Sequence, residues 1–335
     1  MLINQDFTQN RTQFIGGSDI GAILGLSPYR TPIDVWLEKT GEDKSKEANL
    51  AMRFGSFAEE FIAKEYAKAT GQKLLNHPSA ITHQEHNFFK AHIDRFILKK
   101  NTPQFDDDLS DIFPPQFANQ INKNWVESLL ECKTANPFSQ SQWGEAGSDQ
   151  VPLVYLCQCA WYLAITQMEQ MDLAVLFGNQ DFRIYTIRRD LELEHLILEK
   201  AYAFWECNVL QKQRPNVKNI QDCQKVFAKS VSNKKVEASK ATLSHLTQLP
   251  LLHQQALAIE KEIDLIKQAV MQEMQDAEVL LHEGLTIATW KAPKVSLRID
   301  TKRLQTDYPD LIKPYQAPIA NTRRLVLKEF ELRVQ

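Results

Sequence analysis

Glu131 and Lys133, with Cys132 between them, follow two leucines in the stretch "LLECKTANPF" at residues 129–138. Successive side chains of a β-strand alternate faces, so the acid and the base point one way and the thiol the other. Upstream, "AHIDRFI" places His92 and Asp94 on one strand face by the same rule. Two adjacent antiparallel strands, one with Asp94 and one with Glu131-x-Lys133, bring two carboxylates and an ammonium together. Carboxylate oxygens suit a hard ion such as Mg²⁺, which keeps several waters and so tolerates two or three protein ligands. The ammonium then stands where a water is deprotonated or where charge builds up on a phosphate. The same three residues also make an ordinary ion pair at the end of a buried strand, and their spacing leaves both readings open.

Other residues add to this set. On a helix predicted over 56–70, Glu59 lies on the edge of an apolar stripe of Phe57, Phe61 and Ile62, while Glu60 faces Lys64 on the exposed side. Gln158 is the strongly polar residue of the apolar run "PLVYLCQCAWYLAIT", and Tyr155 and Tyr162 share its face. A buried glutamine must be hydrogen-bonded, so it either ties the core together or serves a neighbouring site. Near the N-terminus, "GGSDIG" has the form of a small anion site, with glycines that let a phosphate approach the backbone and Ser18 as N-cap of a helix over 19–24. Arg11 adds a guanidinium fork suited to phosphate.

The elements that must position these groups are read from punctuation and periodicity. Thr31-Pro32 is an N-cap followed by proline at the first helical position, and Gly41 closes that helix. Residues 73–82 and 88–98 read as extended. Residues 99–124 read as a long loop with acidic, proline and asparagine clusters, and "WVESLLECK" follows as a strand. A buried helix over 152–166, strands at "DLAVLFG" and "FRIYTIRR", and an amphipathic helix over 190–210 come next. Residues 214–244 suit a polar linker. Leu252, Ala256, Ile259, Ile263, Ile266 and Val270 then recur at spacings of four and three, a helical seam within a helix of about 250–280 that is expected to pack on the same chain.

At 335 residues the chain exceeds the size at which one core usually stops growing, so a main domain over 1–222 and an accessory region over 223–335 are expected. An apolar fraction of 43% and a charged fraction of 24% are those of a globular protein and exclude a disordered chain. The net charge of −3 averages over any local basic groove and decides nothing about nucleic acid. The N-terminal residues lack the form of a signal peptide and no apolar run is long enough to span a membrane, so a cytoplasmic location is expected. Five cysteines without a repeated spacing read as buried thiols rather than as a disulfide framework, and no iron–sulfur cluster is expected.

Taken in order, "IGGSDIGAILGLSPYRTPIDVWLEKTG", "FGSFAEEFIAKEYAKATG", "AHID", "LLECKTA" and "PLVYLCQCAWYLAIT" resemble the YqaJ-type viral recombinase, or lambda-exonuclease-like, nucleases. The resemblance spans roughly residues 11–210. It implies an α/β restriction-endonuclease-like core of the PD-(D/E)xK type, a mixed central sheet flanked by helices. It further implies that Asp94 and Glu131 bind Mg²⁺, with Mn²⁺ as a substitute, together with the Cys132 carbonyl. Lys133 would be the catalytic lysine and Glu59 a helix glutamate that helps hold the metals. Gln158 with Tyr155 would support the site, and Arg11, Ser18 and, in place of a serine, His92 would hold a DNA 5′-phosphate. Members of this family degrade one strand of linear duplex DNA from its 5′ end. They form homo-oligomeric rings, of which a trimer is one form, and hand the 3′ single strand to an annealing protein. Two departures stand out: Arg95 follows Asp94 where glycine is usual, and the acidic loop separates the two catalytic strands.

Overall fold

A computed structural model describes residues 11–42, 50–76, 80–102, 123–294, 297–315 and 323–327. After the short strand β1 (Ile15–Gly16), helix α1 (Gly17–Ile23) begins two residues before the expected start, with Gly16 rather than Ser18 at its cap. Asp19 explains the shift, since its carboxylate in the first turn accepts the Gly16 amide at 3.1 Å. Helix α2 (Pro32–Lys39) starts where its residues direct, with Thr31 and Asp34 bonding each other's amides.

Helix α3 (Leu50–Thr70) starts about six residues earlier than expected and ends before Gly71 at φ +69°. Of the predicted stripe only Ile62 is buried. Ala58, Ile62, Ala63 and Tyr66 are buried against Leu130, Cys132 and Ala174, whereas Phe57 and Phe61 are 72% and 51% exposed. The two alanines allow the helix to close on the sheet, and the bulkier phenylalanines are left outside.

The extended segments divide between two sheets. β2 (Lys73–Leu75), β3 (Ile81–Thr82), β4 (Phe89–Ala91) and β5 (Arg95–Leu98) are separate strands, so the predicted spans 73–82 and 88–98 are each interrupted. β4 pairs with β1 and β3 in a three-stranded sheet, while β5 joins a five-stranded sheet of order β2-β5-β6-β7-β8. His92, Ile93 and Asp94 form the passage between the sheets. Backbone changing ladders there cannot keep strand geometry through the change.

The long strand β6 (Val126–Ala135) lies at the centre of the larger sheet, antiparallel to β5. Helix α4 (Leu153–Thr166) carries the chain over to β7 (Gln170–Phe177), which runs parallel to β6, and β8 (Asp181–Arg188) returns antiparallel. Every residue of α4 from Cys157 to Thr166 is buried, as its unbroken apolar run dictates. This mixed sheet flanked by helices is the architecture the resemblance implies. The 103–122 part of the acidic loop lies outside the described residues.

Helix α5 (Leu191–Ala203) continues in π-helical turns to Leu210, with Trp205 buried. The polar segment read as linker contains helix α6 (Ile220–Val226). There Asp222, fully buried, accepts hydrogen bonds from Thr31 Oγ1 at 2.7 Å and the Lys218 amide at 2.9 Å, and Lys225 pairs with Asp34. The first compact unit therefore runs from Met1 to Val226, four residues beyond the expected boundary.

The second unit, Phe227–Gln335, holds the 35-residue helix α7 (Lys240–Met274) and a hairpin of β9 (Val279–His282) and β10 (Leu285–Thr289). The seam residues Leu252, Ile259, Ile263 and Ile266 are exposed, contrary to the expected packing on the same chain. Among the described residues no helix is long and apolar enough to cross a membrane. Cys132, Cys157 and Cys159 are buried, but Cys207 is exposed and Cys223 half-buried, because the latter two lie on the π-helical end of α5 and on α6 rather than on the core sheet and its buried helix.

Candidate active site

β6 presents its residues as alternation requires. Cys132 packs its thiol among Ala58, Ile62 and Tyr66 beneath α3, while Glu131 meets Gln158 of α4. Lys133 Nζ donates to Glu131 Oε1 at 2.5 Å, and Gln158 Nε2 donates to the same oxygen at 2.7 Å. Gln158 also reaches the Tyr162 hydroxyl at 2.9 Å. The buried glutamine thus serves the site, and its tyrosine partner is Tyr162 rather than Tyr155, whose ring stacks on Trp143 at 5.2 Å. A Gln158 amide on the face of Tyr162, one helical turn on, reaches that hydroxyl directly.

Asp94, at the passage between the sheets, is fixed by the Cys132 amide, which donates to its Oδ2 at 2.8 Å. Burial and the neighbouring Glu131 carboxylate raise the Asp94 carboxyl far above the usual range, against the pull of Lys133. Glu131 is raised as well, by burial, with Lys133 opposing. Its Oε2 is buried and has no hydrogen-bond partner. Burial lowers Lys133, but Glu131 and Asp94 outweigh it and keep the ammonium charged. Two carboxylates share one cation here, with a carboxylate oxygen left unsatisfied. That deficit fits a divalent ion held by Asp94, Glu131 and the Cys132 carbonyl. Among the described residues no cage of three or more His, Cys, Asp or Glu side chains is preformed.

Glu59, on α3, is near enough for its charge to act on Asp94 and Glu131, but its hydrogen bonds go elsewhere. Arg95 Nη1 donates to Glu59 at 2.9 Å and to the Asp94 carbonyl at 2.5 Å, and Nη2 donates to Glu60 at 2.6 Å. Glu60 also pairs with Lys64 at 3.3 Å, as its i,i+4 spacing predicts. Burial lowers the His92 imidazole, with Glu59 opposing and Arg95 adding to the effect.

Arg11 and Ser18 do come together, at 3.4 Å, within a larger charge cluster. Arg11 also bonds Asp19 and Glu38, Arg30 bonds the same two acids at 3.0 Å each, and Lys39 sits 2.8 Å from Asp19. Three cations face two carboxylates. Asp19, Arg30 and the adjacent Glu38 and Lys39 escaped the sequence reading because 8 to 20 residues of turn and helix separate the three places, and no single-helix period relates them.

Burial would raise Asp19, but Lys39, Arg30 and Arg11 outweigh it and hold the carboxyl at about 2, below its ordinary 3.8. Because the folded value is the lower one, this contribution is complete above the ordinary value and is lost as pH falls through about 2. Asp19→Asn is expected to flatten that acid limb and to cost about 3 kcal/mol at neutral pH, since three cations lose an anion. Urea denaturation across a pH series checks it, and an unchanged acid limb would contradict it.

Gly17 serves the packing of α1 on α4. A Cβ there would lie 2.5 Å from the Tyr162 ring, so only glycine lets α1 sit this close to α4. Gly17→Ala is expected to cost about 1–3 kcal/mol by overpacking. Displacing Tyr162 also disturbs Gln158 and hence Glu131. The denaturation midpoint measures the effect, and no shift would show that the helices part freely.

Comparison with known proteins identifies the family of the chain. Residues 6–169 match the YqaJ-like viral recombinase domain. The chain is 30% identical over 326 residues to the protein YqaJ of Bacillus subtilis (strain 168), covering 95% of this chain and 92% of that one. Among solved structures, an alkaline exonuclease from Laribacter hongkongensis is 17% identical with a TM-score of 0.45, covering 63% of this chain and 96% of its own. A phage-related exonuclease from Haemophilus somnus 129PT is 13% identical with a TM-score of 0.40, covering 60% and 96%. On the near full-length match and the domain match together, the chain belongs to the YqaJ family of viral recombinase-like proteins.

Proposed function

We propose that the chain is a divalent-cation-dependent deoxyribonuclease of phage-type homologous recombination, degrading linear double-stranded DNA 5′→3′ to leave 3′ single strands. The observation that carries this reading is the buried, unpartnered Glu131 Oε2 beside Asp94 and the charged Lys133. A bound Mg²⁺, or Mn²⁺ in its place, supplies Lewis acidity at the scissile phosphodiester. Asp94, Glu131 and the Cys132 carbonyl would hold it. Gln158 keeps Glu131 oriented, and the Cys132 amide does the same for Asp94.

Lys133 bridges this buried set to solvent, its side chain 25% exposed where that of Glu131 is 3%. With its pKa raised, it acts as a fixed cation for the charge that builds on the phosphate rather than as a proton acceptor. Arg11 and Ser18, supported by Arg30 and Lys39, would take the 5′-phosphate, because their cluster has more positive than negative groups and Ser18 is exposed. A ring-forming homo-oligomer, a single-strand annealing partner and a cytoplasmic location complete the reading.

The test is digestion of linear duplex with 5′-phosphate ends beside closed circular duplex, each with Mg²⁺ or with EDTA. Loss of the linear substrate alone, and only with Mg²⁺, is expected. Equal cleavage of the circle would make it an endonuclease, and activity in EDTA would refute the cation requirement.

A further inference from the structure

Arg95 distributes the positive charge of this site unevenly. Its side chain is 11% exposed, and its guanidinium bonds Glu59, Glu60 and the Asp94 carbonyl at once. A guanidinium does not deprotonate in proteins, so Glu59 permanently faces a cation. Across the strand the situation is reversed. Asp94 and Glu131 have Lys133 as their near cation and keep an unsatisfied oxygen. A divalent ion approaching Asp94 and Glu131 relieves a charge deficit, whereas one approaching Glu59 meets an occupied carboxylate and a like charge.

We propose that the site takes a single divalent cation, on Asp94 and Glu131, and that Arg95 is a positioning residue standing in for a second ion at Glu59. The guanidinium ties α3 to the start of β5 and neutralises Glu59 whether or not the cation is bound. Glu59 therefore orients Arg95 and is not a metal ligand. This inference rests on the cation-dependent reading above.

Titration of the full chain with Mn²⁺, without DNA, read by the electron paramagnetic resonance of the free ion, tests it. Wild type is expected to bind one Mn²⁺ per chain, Glu131→Gln none, and Arg95→Gly two, as Glu59 becomes free. Should Arg95→Gly fail to fold, Glu59→Gln decides the matter in the wild-type background. It keeps the stoichiometry at one and lowers affinity by less than about tenfold here, through the lost negative charge alone, whereas loss of a group that supports a metal typically costs about 10–100-fold in affinity. Two ions on wild type, a single ion on folded Arg95→Gly, or a loss of that size in Glu59→Gln would each overturn the proposal. Wild type binding no Mn²⁺ would overturn the cation-dependent reading with it.

Discussion

Lys133→Ala is expected to slow degradation of linear duplex by about 10²–10⁴-fold while the protein stays folded and still binds a divalent cation. Glu131 Oε1 loses one of its two donors but keeps the Gln158 amide, so the carboxylate remains oriented. With its ammonium gone, the carboxylate pair carries more uncompensated negative charge, and affinity for Mn²⁺ rises rather than falls. Single-turnover kinetics on 5′-phosphorylated duplex, together with a Mn²⁺ titration, separate the two effects. A rate within about threefold of wild type would remove Lys133 from the chemistry, since such a change is under 1 kcal/mol of barrier. Arg at this position is not a rescue, because its planar fork cannot occupy the short approach to Glu131.

Asp94→Asn is expected to abolish cation binding and, in EDTA, to make the protein more stable. The carboxylate is buried beside Glu131 with the Cys132 amide as its donor, and burial already drives it toward the neutral form. Asparagine keeps an oxygen for that amide and removes the charge, leaving Glu131 and Lys133 balanced. A gain on the order of 1–3 kcal/mol is expected, the size found when an ill-compensated buried charge is replaced. Wild type behaves in the opposite manner on adding Mg²⁺, gaining about 2.7 kcal/mol at a hundredfold excess over Kd. Thermal unfolding in EDTA and in Mg²⁺ reads both. If the variant is less stable in EDTA, or still responds to Mg²⁺, Asp94 is a structural residue and not a ligand. Stability given up for a binding site is a common trade in enzymes.

How far the site was legible depended on the range of the interaction. Strand alternation alone assigned Glu131 and Lys133 to one face and Cys132 to the other, and the structure has them so. Capping chemistry placed the start of α2 at Thr31-Pro32, and the unbroken apolar run placed α4 in the core. The same reasoning erred wherever the outcome turned on a partner distant in sequence. Phe57, Phe61 and Ile62 made the predicted stripe, yet of these only Ile62 joins Ala58 and Tyr66 in the face through which α3 docks, because closeness of approach and not side-chain size alone selects the buried face.

The residues of the chain thus dictated, one period or one cap at a time, where elements begin, which way their side chains alternate, and which groups are chemically suited to a hard cation. Tertiary packing decided the rest. It broke the 88–98 segment at His92–Asp94 by pairing its halves with different sheets. It put Gln158 and not a core partner against Glu131, gathered Arg30 and Lys39 around Asp19, and gave Glu59 to Arg95. Periodicity and capping act over a few residues of backbone, so the local sequence contains them. Ion pairs and ladder partners act through space between segments tens of residues apart, and only the folded chain brings those segments within reach.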